Sequence, residues 1–165
     1  MTASHSTRDK FKVLNIYKTY FPDPPGGLQE AIRQICLSTS RESIENTIFT
    51  LSPQPEPNYI KMPEGKVFRD KSWLSPASCD LGGLSAFSNF SKLAKQADVL
   101  HYFFPWPFAD VLHNVMKPEK PAVLTYVSDV VRQRFLGAAY SPMMWRMLRQ
   151  MKITVANCSA YVQIR

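Results

Sequence analysis

Apolar positions along this chain fall into short continuous runs that alternate with stretches of helical spacing. Lys12–Tyr17 (KVLNIY), Asn46–Ser52 (NTIFTLS), Asp98–Phe104 (DVLHYFF), Ala122–Tyr126 (AVLTY) and Ile153–Ala156 are apolar runs of strand length, bounded by turn residues. Between them, Leu28, Ala31, Ile32, Ile35 and Cys36 recur at helical spacing, with Gln29, Glu30, Arg33 and Gln34 on the opposite side. Leu84, Phe87, Phe90, Leu93 and Ala94 do the same within Leu84–Gln96. Phe108–Val115 predicts a short helix after Pro105 and Pro107. A further helix is predicted to start near Pro142, where a missing N–H does no harm, and to run to about Gln150.

Two segments read as irregular. Lys18–Gly27 (KTYFPDPPGG) holds three prolines and two glycines and predicts a loop. Pro53–Asp80 is broken by prolines, and within it only Val67–Arg69 reads as a short strand. Apolar strands alternating with helices predict an α/β fold: a Rossmann-like open, mainly parallel sheet with helices on both faces. Residues 1–11 read as a disordered or expression-derived start and 12–165 as one domain.

In an open α/β sheet, ligands bind at the carboxyl ends of the strands. Three candidate segments fall there. Gly26 and Gly27 follow the first strand and open a helix, so backbone N–H groups there can approach a phosphate or a sugar. A plain turn would use the same pair, and neither the dinucleotide-binding glycine fingerprint nor a P-loop is present. His101 reads as ending the fourth strand, inside HYFFPWPFAD. A neutral imidazole both donates to and accepts from hydroxyls, and Phe103, Phe104 and Trp106 could offer flat faces to a sugar ring; a core histidine among core aromatics fits the pattern equally. Ser128 and Asp129 follow the fifth strand, where an aspartate can hold a hydroxyl or a cation, or cap a helical turn.

Charge sharpens this picture at one end. The net charge is +7, and 130–165 holds six bases and no Asp or Glu, which leaves +1 for the rest of the chain. Arg146, Arg149 and Lys152 recur every third residue beside a stripe of Met144, Met147, Leu148 and Met151. Such a basic amphipathic segment suits an anionic membrane surface or another anionic partner, or is a solvated face over a packed stripe. No nucleic-acid recognition motif accompanies it, so nucleic acid is not expected as a partner. Cys36, Cys79 and Cys158 are odd in number and widely spaced, which predicts buried free thiols rather than a disulfide framework; no metal-ligand set and no cofactor motif is expected. The polar start lacks an apolar signal core, and no run is long enough to span a membrane.

The stretches KVLNIYKTYFPDPPGGLQEAIRQI, ADVLHYFFPWPFADV, KPAVLTYVSDVVRQ and MKITVANCSAYVQ together resemble the N-terminal domain of retaining GT-B glycosyltransferases of family four, which includes mannosyltransferases of polysaccharide biosynthesis. The resemblance implies an acceptor-side domain whose partner, a C-terminal domain binding the nucleotide-sugar donor, is absent from these 165 residues. It implies that Gly26, Gly27, His101, Ser128 and Asp129 line the cleft, and that the acceptor is a glycan or a lipid-linked glycan. No catalytic residue is assigned to this half, and the 165 residues alone are expected to be inactive. The expected location is the cytoplasm, with peripheral contact at the inner face of the cell membrane suggested by the basic segment after Val130. Two positions depart from the family pattern. Val127 stands where a donor-contacting histidine is common, and Asn157-Cys158-Ser159 replaces a Thr-Ser-Pro-like turn. A binding module with a degenerate sugar site is the alternative these departures suggest.

Overall fold

A computed structural model describes residues 10–24, 26–74, 80–127 and 136–156. The elements, in chain order, are β1 (Phe11–Ile16), α1 (Gly27–Arg41), β2 (Ile44–Ser52), β3 (Tyr59–Met62), β4 (Gly65–Leu74), β5 (Leu81–Gly82), α2 (Leu84–Gln96), β6 (Val99–Phe104), α3 (Pro107–Met116), β7 (Ala122–Tyr126), α4 (Leu136–Leu148) and β8 (Ile153–Ala156). The sheet runs β3-β4-β2-β1-β6-β7-β8, with β5 paired to β4. Neighbours from β4 through β8 are parallel, while β3 and β5 lie antiparallel to β4. This is the Rossmann-like open sheet that the alternating pattern predicts.

Alternation along the strands divides the core between two faces. Leu14, Ile16, Phe49, Leu51, Leu100, Tyr102, Phe104 and Leu124 meet Phe90 and Leu93 of α2, Phe108 and Leu112 of α3 and Met147 of α4. On the other face Ile48, Val67 and Phe103 meet Ile32 and Cys36 of α1, with Tyr17 and Tyr20 closing the end. Cys36 is a free, buried thiol whose pKa burial raises to about 12. Cys79 and Cys158 lie outside the described residues.

The structure corrects the sequence-based elements in three places. Helix α1 continues four residues past Leu37 to Arg41, although Ser38–Arg41 adds no apolar position. Thr39 hydrogen-bonds back to the carbonyl of Ile35, and Asn46 from β2 donates to the carbonyl of Cys36, so polar contacts support this last turn. Pro142 lies inside α4 rather than at its start, because the helix begins at Leu136. The largest change is β4, ten residues long where only three were legible. The charged run Arg69-Asp70-Lys71 ends the three-residue strand legible in the sequence, yet the strand continues through it and Arg69 and Asp70 are both buried. Arg69 is held by Asp23, and Asp70 accepts hydrogen bonds from Ser85 and Asn89 of α2, each at 2.8 Å. The hairpin from β3 into β4 turns at Gly65, whose φ of +154° favours glycine and where a Cβ would stand 2.3 Å from the carbonyl oxygen of Asn46.

Candidate functional site

Because the strands from β4 to β8 run parallel, their carboxyl ends share one edge of the sheet. Chain order reverses there between β1, whose other neighbour is β2, and β6, which leads on to β7 and β8. A crevice opens at such a switch point, since the connections on its two sides leave toward opposite faces. The loop after β1 and the Pro105-Trp106 turn after β6 flank it.

The first loop is held by a buried ionic cluster. Arg69 Nη2 donates to Asp23 Oδ1 at 2.8 Å, to Ser52 Oγ at 2.8 Å and to the carbonyl of Gln54 at 3.0 Å, while Nη1 donates to the carbonyl of Pro57 at 3.1 Å. One guanidinium, from the middle of β4, thus ties the β1–α1 loop to the end of β2 and the segment that follows it. Beyond Asp23 the chain enters α1, with Gly26 as N-cap and no side chain capping the helix. Gln29 instead donates to Thr19 at 2.8 Å, bracing the loop from within the first turn. A methyl at Gly26 would meet only the flexible end of Gln29, at 2.6 Å, and one at Gly27 would meet nothing within 4 Å. No protein atom therefore demands glycine at position 27. The space in front of it is open, and the uncapped end of α1 offers donors toward an anion.

His101 is placed differently from the sequence expectation. It is the third of six residues in β6, paired level with Asn15 and Val123, so it lies about 10 Å short of the strand's carboxyl end. Its Nε2 is 2.7 Å from Thr125 Oγ1 and its ring packs against Phe103 at 4.2 Å. Burial lowers its pKa to about 4, so it is neutral at physiological pH. The strand runs through Phe104, as its apolar run predicts, so three residues separate His101 from the carboxyl end.

Those aromatics are core. Phe103, Phe104 and Trp106 are each at most 2% exposed, so none of them presents a face to a sugar. Trp106 donates its indole N–H to the carbonyl of Asp80 at 2.9 Å. The exposed aromatic at this edge is Trp73, 71% exposed at the end of β4, beside Leu74 and near Gly83. Asp80 lies close enough to this edge that, after desolvation, its charge is the second cause raising Tyr17 to a pKa of about 12. Sequence reasoning missed Trp73 and Asp80 because both sit in the segment it left unassigned. A tryptophan directly after a charge-dense run was the one available signal.

Val127 follows β7 at this same edge, where its backbone N–H donates to the carbonyl of Phe104 at 3.1 Å. Ser128 and Asp129 lie outside the described residues. The structure therefore brings Gly26, Gly27 and Val127 to one edge, sets His101 deeper in the sheet, and keeps Arg146, Arg149 and Lys152 exposed elsewhere.

No family model matches the chain. It is 40% identical over 150 residues to the D-rhamnosyltransferase WbpZ of Pseudomonas aeruginosa, covering 91% of this chain and 39% of that protein. It is 34% identical over 151 residues to the O-antigen chain mannosyltransferase C of Escherichia coli, covering 92% of this chain and 40% of that protein. Both relatives are glycosyltransferases, and the chain spans about two-fifths of the length of each.

Proposed function

We propose that this chain is the acceptor-side half of a retaining GT-B glycosyltransferase that builds a polysaccharide of the O-antigen kind. The observation that carries the reading is the conjunction of two glycosyltransferase relatives, aligned over nine-tenths of the chain, with an open, uncapped helix start at the switch point of the sheet. D-rhamnose is D-mannose lacking one hydroxyl, at its terminal carbon. The two relatives' sugars therefore share the manno arrangement of ring hydroxyls, and a nucleotide-linked hexose of that configuration is the donor class we assign.

In this reading the bond from the sugar's anomeric carbon to the donor diphosphate breaks and a bond to an acceptor hydroxyl forms with the same configuration. Negative charge gathers on the departing diphosphate, and donors already fixed in position stabilise it without reorganising. The first-turn N–H groups of α1 are such donors, and Gly27 leaves them accessible. The Arg69–Asp23 contact fixes the loop that aims them. We assign Asp80 and the exposed Trp73 to the acceptor glycan, the carboxylate accepting from hydroxyls and the indole covering an apolar ring face. Most donor contacts belong to a second domain, which these 165 residues do not include.

Val127 favours one competing reading, a binding module that has lost transfer. The two separate in one assay. The full-length gene product is expected to transfer a manno-configured hexose from its nucleotide donor to a polysaccharide acceptor, while the 165-residue chain gives no measurable turnover. Acceptor binding by both forms with turnover by neither would establish the binding module instead.

A further inference from the structure

A run of polar side chains leads away from the carboxyl edge along β4. Asp80 accepts a hydrogen bond from Ser72 at 3.3 Å. Ser72 is two residues from Asp70, so both point to the sheet face that carries α2, where Ser85 and Asn89 donate to the Asp70 carboxylate. Further down this face, Phe90 of α2 meets Phe49 of β2 at 5.9 Å. Outward from that contact the sheet continues as Phe68 of β4 and Tyr59 of β3, level with Phe49 across the strands. The two outer rings tilt together at 5.0 Å, and Tyr59 at the margin of the sheet is exposed. Two depressions adjoin α2 here. One, of about 270 Å³, is lined among others by Tyr59, Phe68, Asp70, Asn89 and Gln96. The other, of about 400 Å³, reaches the amino edge past Thr47 and Lys66. Phe68, Leu93 and Gln96 line both, so the two form one trough between α2 and the outer strands.

We propose that this trough binds a neutral polysaccharide, holding the older sugars of the chain being extended, several residues back from the end that reacts. The inference rests on the acceptor-side reading above. A pyranose carries hydroxyls around its rim and apolar faces above and below. The trough answers both: Tyr59 and Phe68 supply ring faces, and the amides of Asn89 and Gln96 donate and accept from its sides. Asn89 spends one of its two amide hydrogens on Asp70, which leaves the other and its oxygen for a sugar hydroxyl. A strongly charged ligand fits poorly. Lys66 is paired with Glu45, and the Asp70 carboxylate shares its compartment with Lys92, so no field of one sign fills the trough. The floor is also polar where a strand under a helix is ordinarily apolar: Glu45 and Thr47 precede Phe49 and Leu51 on one face of β2. The trough is continuous with the glycan site at the carboxyl edge, because Ser72 links Asp70 to Asp80 and only three residues of β4, about 10 Å, separate Asp70 from Trp73.

Calorimetric titration of the full-length protein with linear manno-oligosaccharides tests this. Mannohexaose is expected to bind about tenfold more tightly than mannobiose, because only the longer chain reaches from the cleft into the trough. The double variant Tyr59→Ala/Gln96→Ala is expected to cut that advantage to about twofold while mannobiose binds as before. Both side chains are exposed, so circular dichroism should find the variant folded. Gln96→Ala alone, which alters no strand, should show a smaller loss of the same kind. Equal affinity of the parent for the two sugars, or an undiminished advantage in the folded double variant, would overturn the inference. Where the full-length protein transfers hexose yet shows no such length dependence, the trough alone is refuted. Where neither sugar binds and no transfer occurs, the acceptor-side reading falls and the trough with it.

Discussion

Replacing Arg69 with methionine is expected to destabilise the protein by about 3–5 kcal/mol, read as a lower urea midpoint with an unchanged slope. The side chain is 3% exposed and Asp23 is 11% exposed, so the substitution leaves a nearly buried carboxylate without its cation. It also removes donors from Ser52 and from the carbonyls of Gln54 and Pro57. The cost therefore comes mainly from the stranded partners rather than from the lost attraction. A second variant separates these causes. Arg69→Met combined with Asp23→Asn should recover part of the loss, because the orphaned charge is gone. If Arg69→Met alone costs less than about 1 kcal/mol, the cluster is not what holds the β1–α1 loop.

The second large effect concerns pH. Asp110 in α3 is 1% exposed, and both its carboxylate oxygens lack hydrogen-bond partners. Burial raises its pKa from 3.8 to about 8, against the pull of the helix start, which favours the charged form. The folded state thus keeps a proton that the unfolded state releases. That contribution is whole below the unfolded value near 4 and is lost as pH rises toward the folded value near 8. Across four units the nominal change is on the order of 5 kcal/mol. His101 and His113 act in the opposite sense, since burial lowers both. Their stabilisation grows as pH rises to the unfolded histidine value near 6.5 and no further. Stability should therefore peak near pH 6 and decline from there to pH 8. Asp110→Asn should abolish the decline and exceed the parent protein at pH 8. A parent whose stability is flat over that interval would show that the carboxyl is hydrated or paired in solution.

The sequence makes the sheet legible where burial is apolar and obscures it where burial is ionic. Leu14, Ile16, Ile48, Leu51 and Leu124 sit in continuous runs, and their strands are found within a residue or two. Strand β4 escapes because the partners that let Arg69 and Asp70 be buried lie 46 and 15 residues away, at Asp23 and Ser85. No local window contains them. The same limit governs the candidate site. Gly26 and Gly27 fall at the carboxyl edge, because strand order alone decides that, while Ser128 and Asp129 lie outside the described residues. Of the two readings open for His101 and its aromatics, the core one holds: Phe104 is stacked on Tyr126 at 5.2 Å, Trp106 is held by its hydrogen bond to Asp80, and His101 lies three residues inside the strand end. Trp73 and Asp80 become visible only once β4 is seen to end beside α2.

The central claim, that the open start of α1 receives the donor's charge, is tested most directly by Gly27→Ala in the full-length enzyme. Nothing in the fold crowds the added methyl, and alanine is the better helix former, so stability should hold or rise by up to about 1 kcal/mol. The methyl would instead stand in the space the diphosphate needs. Transfer of the manno-configured hexose to its polysaccharide acceptor is then expected to fall by about tenfold or more at unchanged stability. Transfer at the parent rate would contradict the account, because it would place the reacting diphosphate away from this helix.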